Sequence, residues 1–583
     1  MRGGAVVDCT LKNDIEMLVF NKEYEIAEKR IDQYKKIYGD NDEIAGIEAI
    51  IYILKGNYIK ALESIKSGLK FNIFNGNLYC LMGNIYEGCG SYDRAYLCYE
   101  NALYNENNEE DIKVIQENLE RLEKSNLISV KSYSIILLTY NKLEYTKICI
   151  ESIRKYNRGK NYEIIVVDNN STDGTREWLR EQKDIKSILN DENKGFPAGC
   201  NQGIKIAEKD NDILLLNNDT VIMPNSIFNL RMGLYSDKKV GAAGPVSNNV
   251  SYYQQITKSF DSFDGYMNFA LENNIPDFTR ESKRIKIIGF AFFVKREVLD
   301  KIGLLDERFT PGNFEDDDLS FRIIEAGYEI KLCKDSYIHH FGSVSFGSEP
   351  NKFRKVFGIN RQKFIDKWGF DTHYSCNIRY DIINMFDKNF NDHIKVLEIG
   401  CACGATLLEI KNFYPNAELY GIEFDENSAA VAKNFANVQA QDIEKENLDY
   451  EEKSFDYIIL ADVLEHLINP NKAVKNLKKY LKDEGYILAS IHNVMHHSVI
   501  KGLLSGKWTY EDAGILDRTH LRFFTRDEII KLFEESGYMN MSIGSNYVYS
   551  NGDEEFVKKL NEISGQDRTT EFATYQYLVK VGK

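Results

Sequence analysis

No run in this 583-residue chain approaches the roughly 20 apolar residues that a membrane-spanning helix needs. The opening MRGGAVVDCT lacks the apolar h-region of a secretion signal, so a cytoplasmic location is expected. There is no CxxC pair among the ten cysteines, and the nearest two, Cys401 and Cys403, stand in a glycine-bearing turn. They read as reduced thiols and not as a metal knuckle. Nor is there an excess of basic charge. Lys+Arg 73 against Asp+Glu 89 leaves −16, which disfavours nucleic acid and anionic lipid as partners and points to small ligands. What is present, 43% hydrophobic and 28% charged residues, is the balance of a globular chain able to bury cores. At about 150 residues per domain the length predicts three or four of them.

The first signal along the chain is a period. Tyr24, Tyr58 and Tyr92 are each 34 residues apart, as are Ala27, Ala61 and Ala95, and Gly56 and Gly90 share the interval. The stretch LMGNIYEGCGSYDRAYLCYENAL resembles a tetratricopeptide repeat. Gly83 and Ala95 would let two helices approach, Tyr86, Tyr92 and Tyr99 would fill the space between them, and Gly90 would end the first helix. Earlier copies carry Ala49 in place of Gly83 and Lys22 in place of Gly90. An all-α, tetratricopeptide-like array is therefore expected over 1–128, closed by the charged helix DIKVIQENLERLEKSN. The bland alternative is an unrelated bundle with tyrosines in its core. Stacked helix pairs leave a groove for a peptide or partner protein, so binding is expected here and not catalysis.

From Tyr133 the pattern changes to β-rich apolar runs alternating with amphipathic helices, the sign of an open and largely parallel sheet. SIILLTYN, YEIIVVDNNSTDGT and DILLLNNDT each end in polar residues. In open α/β sheets ligands sit at the carboxyl ends of strands, which gathers Thr139, Asn141, Asp168, Asn170, Asp173 and Asp219 at one crevice. Any one of them alone would be a turn or helix cap.

TYN, VVDNNSTDGT, NKGFPAGCN, LLLNNDT, GFAFFVKREVLDKIGLLDERF, FEDDDLSFRIIEAGY and YIHHFGSVSF follow one another in the chain. In that order they resemble the family 2 glycosyltransferases of the GT-A fold, especially the rhamnosyltransferase-like branch, over about Tyr133 to Gly369. The corresponding domain is placed at 129–370. The resemblance implies that Thr139, Asn141, Asp168, Asn170, Asp173, Asn201 and Asn218 bind a nucleotide sugar. Asp168 would meet a pyrimidine N–H, which favours a UDP- or dTDP-sugar donor. A divalent cation, Mg or Mn, would neutralise the departing diphosphate. Its implied ligands are Asp219, the last residue of the family's DXD motif, and His339, with the adjacent His340 as rival. The triplet here is Asn217, Asn218, Asp219, with one acid. By the family's ED motif Asp316 is the base of an inverting transfer and Glu315 its neighbour. Glu315 to Asp318 also open a predicted helix whose positive end they complement. FRKVFGINRQKFIDKW reads as a basic amphipathic helix with a solvated face.

After Trp368 the alternation restarts with IKVLEIG, the turn CACG and a new helix, a nucleotide-type loop. A dinucleotide GxGxxG would fall on Gly400, Ala402 and Ala405 and lacks two glycines, so NAD is disfavoured. Read as E-x-G-x-G-x-G, with Glu398, Gly400, Ala402 and Gly404, the loop resembles class I S-adenosylmethionine-dependent methyltransferases, which have a Rossmann-like α/β fold. YGIEFD, AQDIE and FDYIILADVLEHLINP follow in the family's order, and the domain is placed at 371–583. The resemblance implies that Glu398, Gly400, Gly404, Glu423, Asp442 and Asp462 hold S-adenosylmethionine, Glu423 at the ribose hydroxyls and Asp442 near the adenine. Methylating a hydroxyl needs a base. His466, His492, His496, His497 and His520 are five of the nine histidines. His520, in EDAGILDRTHLRFFT, is the candidate, His497 is next, and a structural role competes with both.

Array, transferase and methyltransferase in one chain suggest a bifunctional enzyme. It would add a sugar, rhamnose being one candidate, to a glycan or protein acceptor such as flagellin held at the array, and O-methylate that sugar. A lipid-linked saccharide acceptor is equally open. The alternatives are one active module with a silent partner, or a repeat-based scaffold with vestigial α/β domains.

Overall fold

The computed structural model describes residues 9–157, 159, 161–342, 350–445, 448–548 and 553–583. The Ser343 to Phe346 end of the motif YIHHFGSVSF lies outside them. Two units divide the chain, one ending at Lys363 and one beginning at Phe364.

The first unit opens with seven helices: α1 Cys9–Phe20, α2 Tyr24–Tyr38, α3 Asp42–Leu54, α4 Tyr58–Phe71, α5 Gly76–Gly88, α6 Tyr92–Asn105 and α7 Glu109–Lys124. The 34-residue interval is a period of helix pairs. Tyr24, Tyr58 and Tyr92 are the first residues of α2, α4 and α6, and Ala27, Ala61 and Ala95 have no exposed surface. Lys22, Gly56 and Gly90 occupy the same left-handed turn, with φ of 62°, 73° and 75°. The caps repeat as well: side chains of Asn41, Asn75 and Asn108 accept backbone N–H bonds at the starts of α3, α5 and α7. A Cβ on Gly83 would lie 2.5 Å from the Tyr99 ring, so the close approach of α5 and α6 requires glycine there.

The switch from helix to strand near residue 130 does not separate two cores. Residues of α4 to α7 and of the following sheet share one apolar cluster. Arg231 forms a buried ion pair with Glu100 of α6, Arg94 pairs with Glu281, and Asn225 donates to the Tyr79 hydroxyl at 2.6 Å. Array and sheet thus form a single unit, where the sequence pattern suggests two domains.

The strands of this unit are β1 Tyr133–Thr139, β2 Tyr162–Asp168, β3 Ile185–Leu189, β4 Asp212–Asn217, β5 Thr220–Val221, β6 Val240–Val246, β7 Glu281–Arg284, β8 Ala291–Val294, β9 Glu329–Tyr337 and β10 His339–His340. Eight form one sheet in the order β3-β2-β1-β4-β8-β6-β9-β7, and β5 pairs with β10. The β3-β2-β1-β4 half is parallel, and the far half is mixed. Parallel register aligns Thr139 with Asp168, and Leu138 with Asn217, so three strand ends open on one edge.

The second unit holds β11 Lys395–Ile399, β12 Glu418–Glu423, β13 Asn437–Ala440, β14 Phe455–Ala461, β15 Leu481–His492, β16 Met539–Tyr547 and β17 Thr574–Gly582. Their order is β13-β12-β11-β14-β15-β17-β16, parallel except for β17, which runs antiparallel to both neighbours. No helix among the described residues is long and apolar enough to cross a membrane.

Candidate functional sites

At the first crevice the loops after β1 and β2 are tied to each other. Asn141, left-handed at φ 59°, donates its N–H to Ser171 Oγ at 2.7 Å, and its Oδ1 accepts from Thr172 N at 2.8 Å. Asp173 accepts from Leu143 N at 2.8 Å and from the Thr175 hydroxyl at 2.6 Å. Burial raises its pKa, but these bonds outweigh it and hold the carboxyl below its ordinary value. Asn141 and Asp173 therefore build the loops. Asn170 Oδ1 accepts from Arg176 at 3.3 Å, and the Asn218 amide donates to the hydroxyls of Thr146 and Thr139 at 3.0 and 3.3 Å. Asn201 is committed elsewhere: its side chain bonds Leu305 in both directions and donates to Glu307, pinning that segment.

Asp168 is different. It has no exposed surface, its Oδ2 accepts from Ser171 N at 3.0 Å and lies 3.6 Å from Arg176, and its Oδ1 has no hydrogen-bond partner among the described residues. A buried acceptor left open is costly and suits a ligand donor.

Asp219 Oδ1 lies 3.1 Å from Nε2 of His340. The other ring nitrogen of His340 is 2.7 Å from Asn249 O. A carbonyl only accepts, so Nδ1 carries the hydrogen and Nε2 is the ring atom that faces the carboxylate. Two facing acceptors need a proton or a cation between them, and this donor set fits a divalent ion. The assignment of His339 to that position is corrected. Successive strand residues point to opposite faces, and β10 sets His339 against Val221. There it packs on Phe263, Tyr266 and Phe341 and bonds the Tyr337 hydroxyl at 3.0 Å, and burial pushes its pKa down to about 4.

Two adjacent residues join Asp219 to the acidic run. The Phe290 ring stacks on His340 with centroids 5.2 Å apart, and Gly289 N donates to Asp316 Oδ2 at 2.7 Å. The four acids divide their work. Asp317 pairs with Lys286 at 2.9 Å and Asp318 with Arg322 at 2.8 Å. Asp316 is half-buried, and burial together with the Asp317 charge pushes its pKa up to about 6. Glu315 is buried, with Oε2 lacking a partner among the described residues, and burial followed by the Asp316 charge raises it well above its ordinary value.

At the second crevice the turn after β11 runs through three left-handed residues, Gly400, Ala402 and Gly404, at φ 69°, 46° and 79°. A Cβ on Gly400 would stand 2.9 Å from Val463, and one on Gly404 would stand 3.0 Å from the Ala432 Cβ. Ala402 takes the strained conformation, costing about 1–2 kcal/mol, and its N–H donates to Glu423 Oε2 at 2.7 Å. Glu423 Oε1 accepts from Asp425 N at 2.9 Å, so this acid braces the loop. Glu398 is buried, with Oε2 lacking a partner among the described residues. Burial, opposed by Arg379, pushes it up to about 8. Asp442 is drawn below its ordinary value by Lys445 and by Glu444 N.

Asp462 bonds Arg379 at 2.7 Å and the Ser490 hydroxyl at 2.8 Å, and burial raises its pKa. His520 Nδ1 lies 2.9 Å from Ile515 O, burial lowers its pKa, and its ring is 5.3 Å from that of His492 and 4.8 Å from that of His466. His497 Nε2 instead lies 3.3 Å from Val548 O. Two residues that the sequence motifs leave without a role stand here. Glu465, in VLEHL, is buried, accepts from the backbone N–H of His492 at 2.7 Å and lies 3.1 Å from its Nδ1. Arg379 joins Asp462 to Asp381. An acid inside an apolar helix start is the one sequence signal for Glu465; for Arg379 there is none.

Residues 134–303 match the family described as glycosyl transferase family 2, and residues 370–543 match a methyltransferase domain family. The chain carries a family 2 glycosyltransferase domain and a methyltransferase domain. It is 26% identical over 209 residues to glycosyltransferase AglE of Haloferax volcanii, covering 35% of this chain and 64% of that protein. It is 26% identical over 173 residues to malonyl-[acyl-carrier protein] O-methyltransferase of Bacillus anthracis, covering 28% of this chain and 62% of that protein. The chain thus spans less than two thirds of the length of either relative. A solved SAM-dependent methyltransferase from Archaeoglobus fulgidus is similar with a TM-score of 0.27 and 18% identity, over 38% of this chain and 99% of that one. In the methyltransferase domain the left-handed turn and the open Glu398 oxygen fit S-adenosylmethionine, whose sulfonium and ammonium are cationic.

Proposed function

We propose that the chain is a bifunctional enzyme whose glycosyltransferase domain moves a sugar from a UDP or dTDP donor, with inversion, and whose methyltransferase domain O-methylates that sugar. The observation that carries the reading is Asp316. It is half-buried, poised at about 6, and linked through Gly289 and Phe290 to the facing Asp219 and His340. A general base works best with a pKa near the working pH. Asp316 takes the proton of the acceptor hydroxyl, and Glu315 beside it orients the acceptor. Asp168 Oδ1 accepts the N–H of a pyrimidine base, with Thr139, Asn170 and Asn218 around it. A divalent cation, Mg or Mn, held by Asp219 and His340, supplies charge neutralisation for the diphosphate when bound.

In the methyltransferase domain Gly400 and Gly404 give the cofactor backbone access, Glu423 reaches its ribose, Asp442 stands toward the adenine, and Glu398 and Asp462 face its charged end. His520, with Nδ1 tied to Ile515, presents Nε2 as the base. The helix pairs are read as a tetratricopeptide-like array. Its groove, about 1000 Å³, is lined by α1, α3 and α5 with residues such as Phe20, Ile50 and Leu78, and it offers a place for a protein or glycan acceptor, flagellin among the candidates. Holding both reactions in one chain raises the local concentration of the intermediate.

The test is to incubate the purified protein with labelled sugar nucleotide, then with labelled S-adenosylmethionine, each without the other and with preformed glycan. Label transfer in both reactions supports two working modules. Transfer in one alone leaves a single active domain, and none in either leaves a scaffold.

A further inference from the structure

One cluster in the methyltransferase domain joins Asp462, which the cofactor reading uses, to two residues that it does not use, Glu465 and His492. Asp462 follows β14, Glu465 stands on the short turn after it, and His492 ends β15, yet each brings one ligand atom to within 4.8 Å of the others. His492 Nδ1 lies 3.1 Å from Glu465 Oε1 and 3.9 Å from Asp462 Oδ1. Ligands at about 2.1 Å from an octahedral ion stand about 3 Å apart when adjacent and about 4.2 Å apart when opposite, so these spacings are compatible with a metal's ligand set. A second observation points the same way. Glu465 is 1% exposed, and its Oε2 has no hydrogen-bond partner among the described residues. Such an oxygen is expensive to leave open, and bidentate coordination would satisfy it.

The surrounding groups orient the ligands and leave the charge unmet. Ser490 and Gln576 both donate to Asp462 Oδ1, as outer-shell partners do for metal carboxylates. Arg379 touches Asp462, but its charge is shared with Asp381, 2.8 Å away. Two carboxylates therefore face one imidazole, and the shared occupant is either a proton on His492 or a cation.

We propose that Asp462, Glu465 and His492 form a divalent-cation site in the methyltransferase domain, with Mn2+ the ion that its one nitrogen and several oxygen donors favour. The ion's catalytic use rests on the methyl-transfer reading above, whereas its binding does not. In that use the acceptor hydroxyl oxygen becomes a further ligand, and its proton passes to His520 Nε2. The oxygen's electron pair forms the C–O bond to the methyl carbon, and the C–S pair returns to sulfur as neutral thioether.

The experiment titrates Mn2+ alone into the full chain carrying Asp219→Asn, so that the glycosyltransferase site is weakened, and follows free Mn2+ by electron paramagnetic resonance. About one ion per chain should bind, and adding His492→Asn or Glu465→Gln should weaken it by about tenfold or more. Unchanged affinity in both variants, or no binding in the parent at millimolar Mn2+, overturns the site. S-adenosylhomocysteine binding measured on the same samples keeps the two readings apart: variants that hold it but lose Mn2+ support the cation site. Should those variants not fold, pulsed resonance on the Asp219→Asn, His340→Asn chain decides. Imidazole nitrogen coupled to bound Mn2+ supports His492 as ligand, and its absence overturns the assignment.

Discussion

Asp316 is half-buried and Glu398 is buried, and the loss of water does different things to the two acids. Asp316 stands at a helix start, where backbone N–H groups of Gly289 and Asp317 bond its two oxygens, and its pKa rises only to about 6. Glu398 lies inside the sheet with Oε2 open and rises to about 8. Near pH 7 the first is a carboxylate and the second carries its proton. Donors aimed at the charged form decide whether a buried acid works as a base or waits, neutral, for a cation.

The strongest way to break this comparison is Asp316→Asn. Sugar transfer should fall by about 10²- to 10⁴-fold while methylation of a preformed glycan is unchanged, measured with labelled donors. Equal loss of both would mean that the acid serves the fold. The pH profiles sharpen the contrast. kcat/KM for sugar transfer should rise as pH increases through about 6, where Asp316 deprotonates. Affinity for S-adenosylmethionine should rise up to about 8, because a cationic ligand pulls the proton from Glu398. Calorimetry at pH 7 in buffers of different ionisation heat should therefore show proton release, and Glu398→Gln should abolish it.

Smaller effects separate bracing from charge. Glu423→Ala should weaken cofactor binding by about 1–3 kcal/mol, since it removes the acceptor for Ala402 N and, on the proposed reading, a ribose ligand. Ala402→Gly should relieve the left-handed strain and raise stability by at most about 1 kcal/mol, read as a shift of a few degrees in Tm. A loss of stability there would show that the alanine methyl packs usefully.

Several elements are legible in the residue order alone. The tyrosine and alanine spacings coincide with helix starts and buried seams, because a helix pair must return to the same face to stack on the next. Strand ends rich in Asn and Asp mark the crevices, since those residues tolerate left-handed turns and terminate apolar runs. Within those crevices the roles are less legible. Asn201 and Asp173 look like ligand residues, but their polar atoms are taken by Leu305, Glu307, Leu143 and Thr175. The choice between His339 and His340 turns on one residue of strand register against β5, a parity that neither histidine's neighbours encode. The helical array, distinct in pattern, shares its core with the sheet through Glu100, Arg231 and Tyr79, partners more than a hundred residues apart.

By itself the amino-acid order determined the periods, the alternation of strand and helix, and the kinds of side chain that reach each strand end, because these follow from local geometry and apolar spacing. Only the tertiary structure decided which of those side chains meet and how far each is removed from water. Hydrogen-bond partners and desolvation come from neighbours distant in the chain. Asp316, Glu398 and the group Asp462, Glu465 and His492 owe their chemistry to that enclosure.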